Sequence, residues 1–277
     1  MEKKNIDWGN LGFGYVQTDY RFVSDFKNGS WDEGKLTEDA TVVINECAGV
    51  LQYAQTVFEG MKAYTTEDGR IVTFRPDLNA ERMENSAKRL EMPVFPKDRF
   101  IQAVVDTVKA NAAYVPPFGS GATLYIRPYM FGTNPVIGVK PADEYQFRVF
   151  TTPVGPYFKG GVKPLTIRVT DFDRAAPHGT GHIKAGLNYA MSMHASWTLT
   201  ARATTKTCTW MQLPEQGRGD RRSQLPFCYK RRKSGYSEIR QYPAFHYPPF
   251  SYLCSSALPW SGSRGTRGYT GGGKRFC

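Results

Sequence analysis

The sequence predicts an α+β fold in two parts of unequal character, and three observations carry that expectation. Short β-branched and aromatic runs alternate with two stretches of helical period. A cluster of glycine and proline, Gly155, Pro156, Gly160 and Gly161, interrupts the pattern once, as a linker does. Beyond Trp197 no regular period lasts more than a few positions. The expected organisation is an N-terminal α/β domain over 1–152, a linker over 153–163, the start of a second domain over 164–196, and a tail over 197–277 that is expected to be disordered. At 277 residues the chain is long enough for two modest domains, each with a core.

Taken in order, residues 8–35 read as strand and turn, with Phe13, Tyr15 and Tyr20 leading to the turn signal Asn28-Gly29. Val42 to Asn45 and Val50 to Tyr53 are short strand candidates on either side of Gly49. Ile71 to Phe74 is another, ended by Pro76. Asp77 then suits a helix N-cap, with Met83, Ala87 and Leu90 along one face. Phe100, Val104, Val108 and Ala112 mark a second amphipathic helix, and Ala122 to Phe131, Tyr145 to Thr151 and Leu165 to Val169 read as further strands. No segment repeats.

The formal charge of +11, from 36 basic and 25 acidic side chains, is unevenly placed. Residues 197–277 hold fourteen Lys and Arg against three acids, so residues 1–196 carry 22 of each sign and are neutral. Lys230 to Lys233 is a basic run of the kind that meets nucleic acid from a solvated loop. Cys47 stands alone in the first part and four cysteines lie in the tail, with no ligand spacing, so neither a metal site nor a disulfide framework is expected. The first residues lack the apolar core of a signal peptide, and no run of about eighteen apolar residues exists to cross a membrane. A soluble cytoplasmic protein without a membrane partner is expected.

Within this frame, Gly179-Thr180-Gly181-His182-Ile183-Lys184-Ala185-Gly186-Leu187-Asn188-Tyr189-Ala190 sets one amine among residues too small to cover it. If a helix begins here, Asn188 and Tyr189 follow one turn later on about the same face. Such a lysine either forms a Schiff base with a carbonyl or stands solvated at a helix start, and the string alone leaves both open. Upstream, in order, come Phe58-Glu59-Gly60-Met61-Lys62-Ala63-Tyr64, then Phe74-Arg75-Pro76-Asp77-Leu78-Asn79-Ala80-Glu81-Arg82-Met83, then Leu124-Tyr125-Ile126-Arg127-Pro128, and then Thr152-Pro153-Val154-Gly155-Pro156-Tyr157-Phe158. Together these blocks resemble the branched-chain amino acid aminotransferases, pyridoxal 5'-phosphate (PLP) enzymes of fold type IV. The resemblance runs from about residue 5 to residue 196 and then stops.

What the resemblance implies is specific. Lys184 is the lysine that carries PLP and then moves the proton, while Arg75 holds the cofactor phosphate, for which a guanidinium fork is suited. Tyr189 meets the cofactor's phenolic oxygen. Tyr125 and Arg127 match the family's Tyr-x-Arg-Pro strand beside the substrate carboxylate, and Phe58, Tyr157 and Phe13 are weaker candidates for the apolar pocket, since aromatics are mostly packing residues. His178 and His182 match no position of the motif, and lysine already fills the base role. The implied reaction passes the amino group of leucine, isoleucine or valine to 2-oxoglutarate, in a homodimer with small amino and oxo acids as its ligands. A D-amino acid aminotransferase or an aminodeoxychorismate lyase is the alternative within fold type IV, and a noncatalytic nucleic-acid-binding protein the alternative outside it.

One part of the pattern is missing. The family's glutamate for the pyridine nitrogen follows the lysine helix in a Glu-x-x-Gly-like motif, and only Glu215 lies near that distance, in the wrong context. Back-translated and read out of frame, Thr204 to Met211 and Arg222 to Tyr242 permit peptides typical of the family. The offset changes between these two segments, so more than one base insertion or deletion is needed. The tail therefore reads as a frameshifted second half, and the chain as written is expected to lack measurable activity.

Overall fold

The computed structural model describes residues 2–156, 167–173, 179–200, 206–212, 221–223, 229–231 and 237–239. Its main body is a mixed sheet-and-helix layer. The chain enters through β1 (Arg21–Lys27), turns at Asn28-Gly29 into β2 (Ser30–Trp31), and runs on to β3 (Lys35–Thr37). Both turn residues have positive φ, 51° and 80°, which is why Asn-Gly marks the place.

The next segment departs from expectation. Val42 to Asn45 is loop, and Val50 to Tyr53 belongs to α1 (Gly49–Tyr53), a single helical turn stopped by Ala54 in the left-handed region. Four residues are too few for alternation to distinguish strand from helix, and no neighbouring strand offers them a ladder.

After α1 come β4 (Thr56–Phe58), β5 (Met61–Thr65) and β6 (Ile71–Thr73), then α2 (Pro76–Arg89) and α3 (Lys97–Ala110). The N-cap of α2 is Arg75 rather than Asp77, because Pro76 has no N–H to satisfy and occupies the first helical position, leaving Asp77 in the first turn. The long strands β7 (Thr123–Gly132) and β8 (Tyr145–Val154) complete the sheet. Here β8 continues through Pro153 and Val154, where the linker was expected to begin.

Among the described residues, β1 to β8 form one antiparallel sheet of order β2-β1-β8-β7-β5-β6, with β3 on β1 and β4 on β7. Leu124, Ile126, Met130, Phe147 and Val149 turn to one face, where Met83, Ala87, Phe100, Val104 and Val108 of α2 and α3 cover them. Phe147 stacks on Phe95 with centroids 3.9 Å apart. Each such side chain contributes about 1.5–3 kcal/mol by leaving water, so this face holds the layer together.

Further on, β9 (Ile167–Asp173) runs parallel to β10 (Lys206–Gln212), and α4 (Gly186–Thr200) lies between them in sequence. Short strands β11 (Arg221–Ser223), β12 (Tyr229–Arg231) and β13 (Ser237–Ile239) follow, β11 on β10 and β12 on β13. The strands β10 to β13 are the described parts of the expected tail beyond Thr200. The rest of that tail, the greater part of the expected linker, and the expected site residue Tyr157 lie outside the described residues.

Candidate active site

The second face of the sheet is built by the same alternation that builds the core. Tyr125, Arg127 and Tyr129 occupy the odd positions of β7, so each turns away from the α2 and α3 side. Opposite them in register stand Thr152, Phe150 and Arg148 of β8, and on the other flank Lys62 and Phe58 pair with Tyr125 and Tyr129. The strands β4 and β5 keep one register against β7 but are parted at Glu59 and Gly60. There the facing residue is Pro128, which cannot donate to a ladder and only accepts, from the Glu59 N–H at 2.7 Å.

That parting has a local use. Gly60 turns to the open face, and a Cβ there would run into the Tyr125 hydroxyl. The missing side chain lets Tyr125 receive the Arg127 guanidinium, whose Nη2 and Nε donate to its oxygen at 2.7 and 3.2 Å. The Arg127 guanidinium also lies 4.6 Å from the centroid of the Phe58 ring, and Phe13 meets Tyr125 edge-on at 5.9 Å.

Lys184 enters this cluster from outside the sheet. It precedes α4, which begins at Gly186 rather than at the lysine itself. Asn188, almost fully buried, donates to the carbonyls of Thr180 and Ile183 and accepts from the Thr180 hydroxyl, so it closes the turn in front of the helix. Ala185 bridges Val57, the Lys184 carbonyl accepts from the Phe58 N–H at 3.1 Å, and the Lys184 N–H donates to Ser86 Oγ at 3.0 Å. A Cβ on Gly186 would crowd Thr56 at 3.2 Å, so this approach of the helix to β4 needs a small residue. The Lys184 side chain donates from Nζ to Tyr189 Oη at 2.8 Å and lies 4.6 Å from the Phe58 ring centroid. Phe58 and Tyr189 meet at 4.9 Å. His182, on the exposed side of the turn, is not part of this cluster of contacts.

Of the expected site residues, Lys184, Tyr189, Phe58, Tyr125 and Arg127 are therefore linked through shared contacts, with Phe13 at the margin. Arg75, the N-cap of α2, is not linked to them by these contacts. It has φ +44°, an uncommon conformation for a non-glycine residue just before a proline. Its guanidinium is forked onto Asp77, with Nη2 and Nε donating at 2.6 and 2.9 Å. That contact holds the Asp77 carboxyl down at about 2.

The buried side of the site was not anticipated. Glu59 is fully buried, yet it accepts two short bonds from Arg82, at 2.6 and 2.7 Å, and one from Asn79. The signal was present as polar residues on the inner face of an otherwise apolar helix stripe, but nothing in the sequence said what they face. Among the described residues no cluster of ligating side chains could hold a metal ion, and no helix is long and apolar enough to cross a membrane.

An antiparallel sheet that offers an aromatic and cationic face to a single lysine ahead of a helix is the arrangement of the fold type IV class. A crystal structure of the Escherichia coli branched-chain amino acid aminotransferase superposes with a TM-score of 0.56 over 72% of this chain and 60% of its own, at 23% identity. The T.th. branched-chain amino acid aminotransferase, crystallised with pyridoxamine 5'-phosphate, gives 0.53 over 73% and 61%, at 21% identity. In sequence, the branched-chain-amino-acid aminotransferase of Haemophilus influenzae is 54% identical over 190 residues, 69% of this chain and 55% of that protein. Over this matched stretch the chain belongs to the branched-chain-amino-acid aminotransferase family. It spans little more than half the length of curated relatives such as those of Haemophilus influenzae and Helicobacter pylori. No family model matches it.

Proposed function

We propose that the Lys184 site binds PLP and serves transfer of the amino group of leucine, isoleucine or valine to 2-oxoglutarate. The observation that carries this reading is the Lys184 amine, held at 2.8 Å from a phenol and against an aromatic ring on the open face of the sheet. The residues that meet there suit the group, with an amine for the aldehyde and the Tyr189 hydroxyl for the ring oxygen; the family resemblance assigns the phosphate to Arg75, which would have to leave Asp77 to hold it. Bound there, PLP supplies an electrophilic carbon and a conjugated ring that spreads negative charge.

The chain's own side chains divide the remaining work. Lys184 would hold the cofactor through its amine and, with that amine free, would take up and return a proton at Nζ. Tyr189 orients that amine through its hydroxyl. The Tyr125 and Arg127 pair offers a fixed guanidinium to a carboxylate, and Phe58 provides an apolar wall that keeps water from the reacting atoms. The cofactor-bearing fold type IV relatives and the matched motif blocks support these roles. The family resemblance extends the reading to a homodimer in the cytoplasm that works on small amino and oxo acids.

The test is to incubate the purified chain with PLP, reduce with borohydride and map the labelled peptide. Label on Lys184, absent in Lys184→Ala, is the expected result, and glutamate formed from leucine and 2-oxoglutarate is expected once the reading frame of the tail is restored. Label that persists in Lys184→Ala overturns the assignment. Arg75→Ala should weaken PLP binding by roughly tenfold or more, as loss of a charged hydrogen bond does.

A further inference from the structure

Helix α2 carries one polar stripe on its buried side, Asn79, Arg82 and Ser86, spaced by three and four residues. Ala80, Met83 and Ala87 beside it are packed in the core. Every member of the stripe reaches the Lys184 neighbourhood. Asn79 and Arg82 hold the Glu59 carboxylate, which lies between Phe58 and Gly60. Ser86 donates its hydroxyl to the Arg82 carbonyl at 2.8 Å and accepts the Lys184 N–H at 3.0 Å. Ser86 is 1% exposed, so water does not replace it as the acceptor.

We infer that Ser86 is a positioning residue for Lys184, and that the Glu59–Arg82 pair extends the same function to Phe58. The geometry is that of a clamp. The peptide N–H of Lys184 is held by α2 and its carbonyl by the Phe58 N–H of β4, so both ends of one residue are tied to the first layer. Only the side chain is left to swing, and its amine is met by Tyr189 and the Phe58 ring. The arrangement removes backbone freedom at the reacting residue before any ligand arrives. A serine hydroxyl suits the task because it donates and accepts at once, passing the Arg82 carbonyl on to the Lys184 amide.

This inference rests on the proposed role of Lys184, and two readouts separate the two. The first is the rate of borohydride-trapped PLP incorporation on Lys184 in the full chain. Ser86→Ala should slow it roughly three- to tenfold, the factor one ordinary net hydrogen bond represents, and Ser86→Thr, which keeps the hydroxyl, should restore it. Ser86→Cys keeps the volume but is a poor acceptor and should behave as Ser86→Ala does. The second is amide hydrogen exchange of the Lys184 peptide without PLP, which should quicken in Ser86→Ala and return in Ser86→Thr. If the wild-type chain takes up no PLP, the proposed function fails and the exchange readout alone decides the clamp. Unchanged exchange in Ser86→Ala, or a folded Ser86→Thr that restores neither readout, overturns the inference.

Discussion

Along β7 the even residues Leu124, Ile126 and Met130 lie in the core, while the odd residues Tyr125, Arg127 and Tyr129 stand half-buried on the other side. The first face is closed by α2 and α3 and made of hydrocarbon and rings. The second carries a guanidinium, hydroxyls and an amine brought from Lys184. Stability and the proposed chemistry thus fall on opposite sides of one strand, and the difference teaches that the core face should be sensitive to volume and the open face to polarity and approach.

The largest effect should come from testing that division directly. Phe147→Ala empties the middle of the core face and should cost about 3–5 kcal/mol, whereas Tyr125→Phe on the open face removes only the acceptor of Arg127 and should cost about 1–2 kcal/mol. Thermal or denaturant unfolding measures both. A Tyr125→Phe variant destabilised as much as Phe147→Ala would show that the open face is also structural.

A smaller effect should come from Gly60→Ala, which sets a methyl against the Tyr125 hydroxyl and should cost about 1–3 kcal/mol by overpacking. It should also part Tyr125 from Arg127, visible as altered Tyr125 side-chain resonances. Unaltered resonances would mean that Gly60 is dispensable to the arrangement.

The smallest effect concerns the exposed Arg75–Asp77 pair, the surface counterpart of the buried Arg82–Glu59 pair. The Asp77 carboxyl, held at about 2 by Arg75, is depressed from 3.8. Its contribution to stability is therefore present above 3.8 and lost as pH falls through about 2. In Arg75→Ala the carboxyl should titrate near 3.8, as read by NMR. Addition of inorganic phosphate to the native chain should raise it as well if the guanidinium turns to the anion. A carboxyl that stays at about 2 in Arg75→Ala would remove Arg75 as its cause.

Much of this was legible before any coordinates. Period alone located α2, α3, β7 and β8, because ten or more residues of helix or strand leave a repeat long enough to read. Motif blocks named Lys184, Tyr125, Arg127 and Phe58, because those residue types match in order along the chain. It did not extend to α1, where a single turn has no period, nor to the N-cap of α2, where Pro76 displaced the expected cap.

What the sequence by itself determined is which side chains are present and which of them share a face of one element, since alternation is a property of the local backbone. Only the tertiary structure decided which faces meet. Ser86 and Lys184 are 98 positions apart and bonded, and Glu59 is buried only because Arg82 and Asn79 of another element satisfy it. Such pairings arise from packing between elements remote in the chain, where a buried charge or amide must find whatever partner the fold brings near. Local pattern carries no record of that choice.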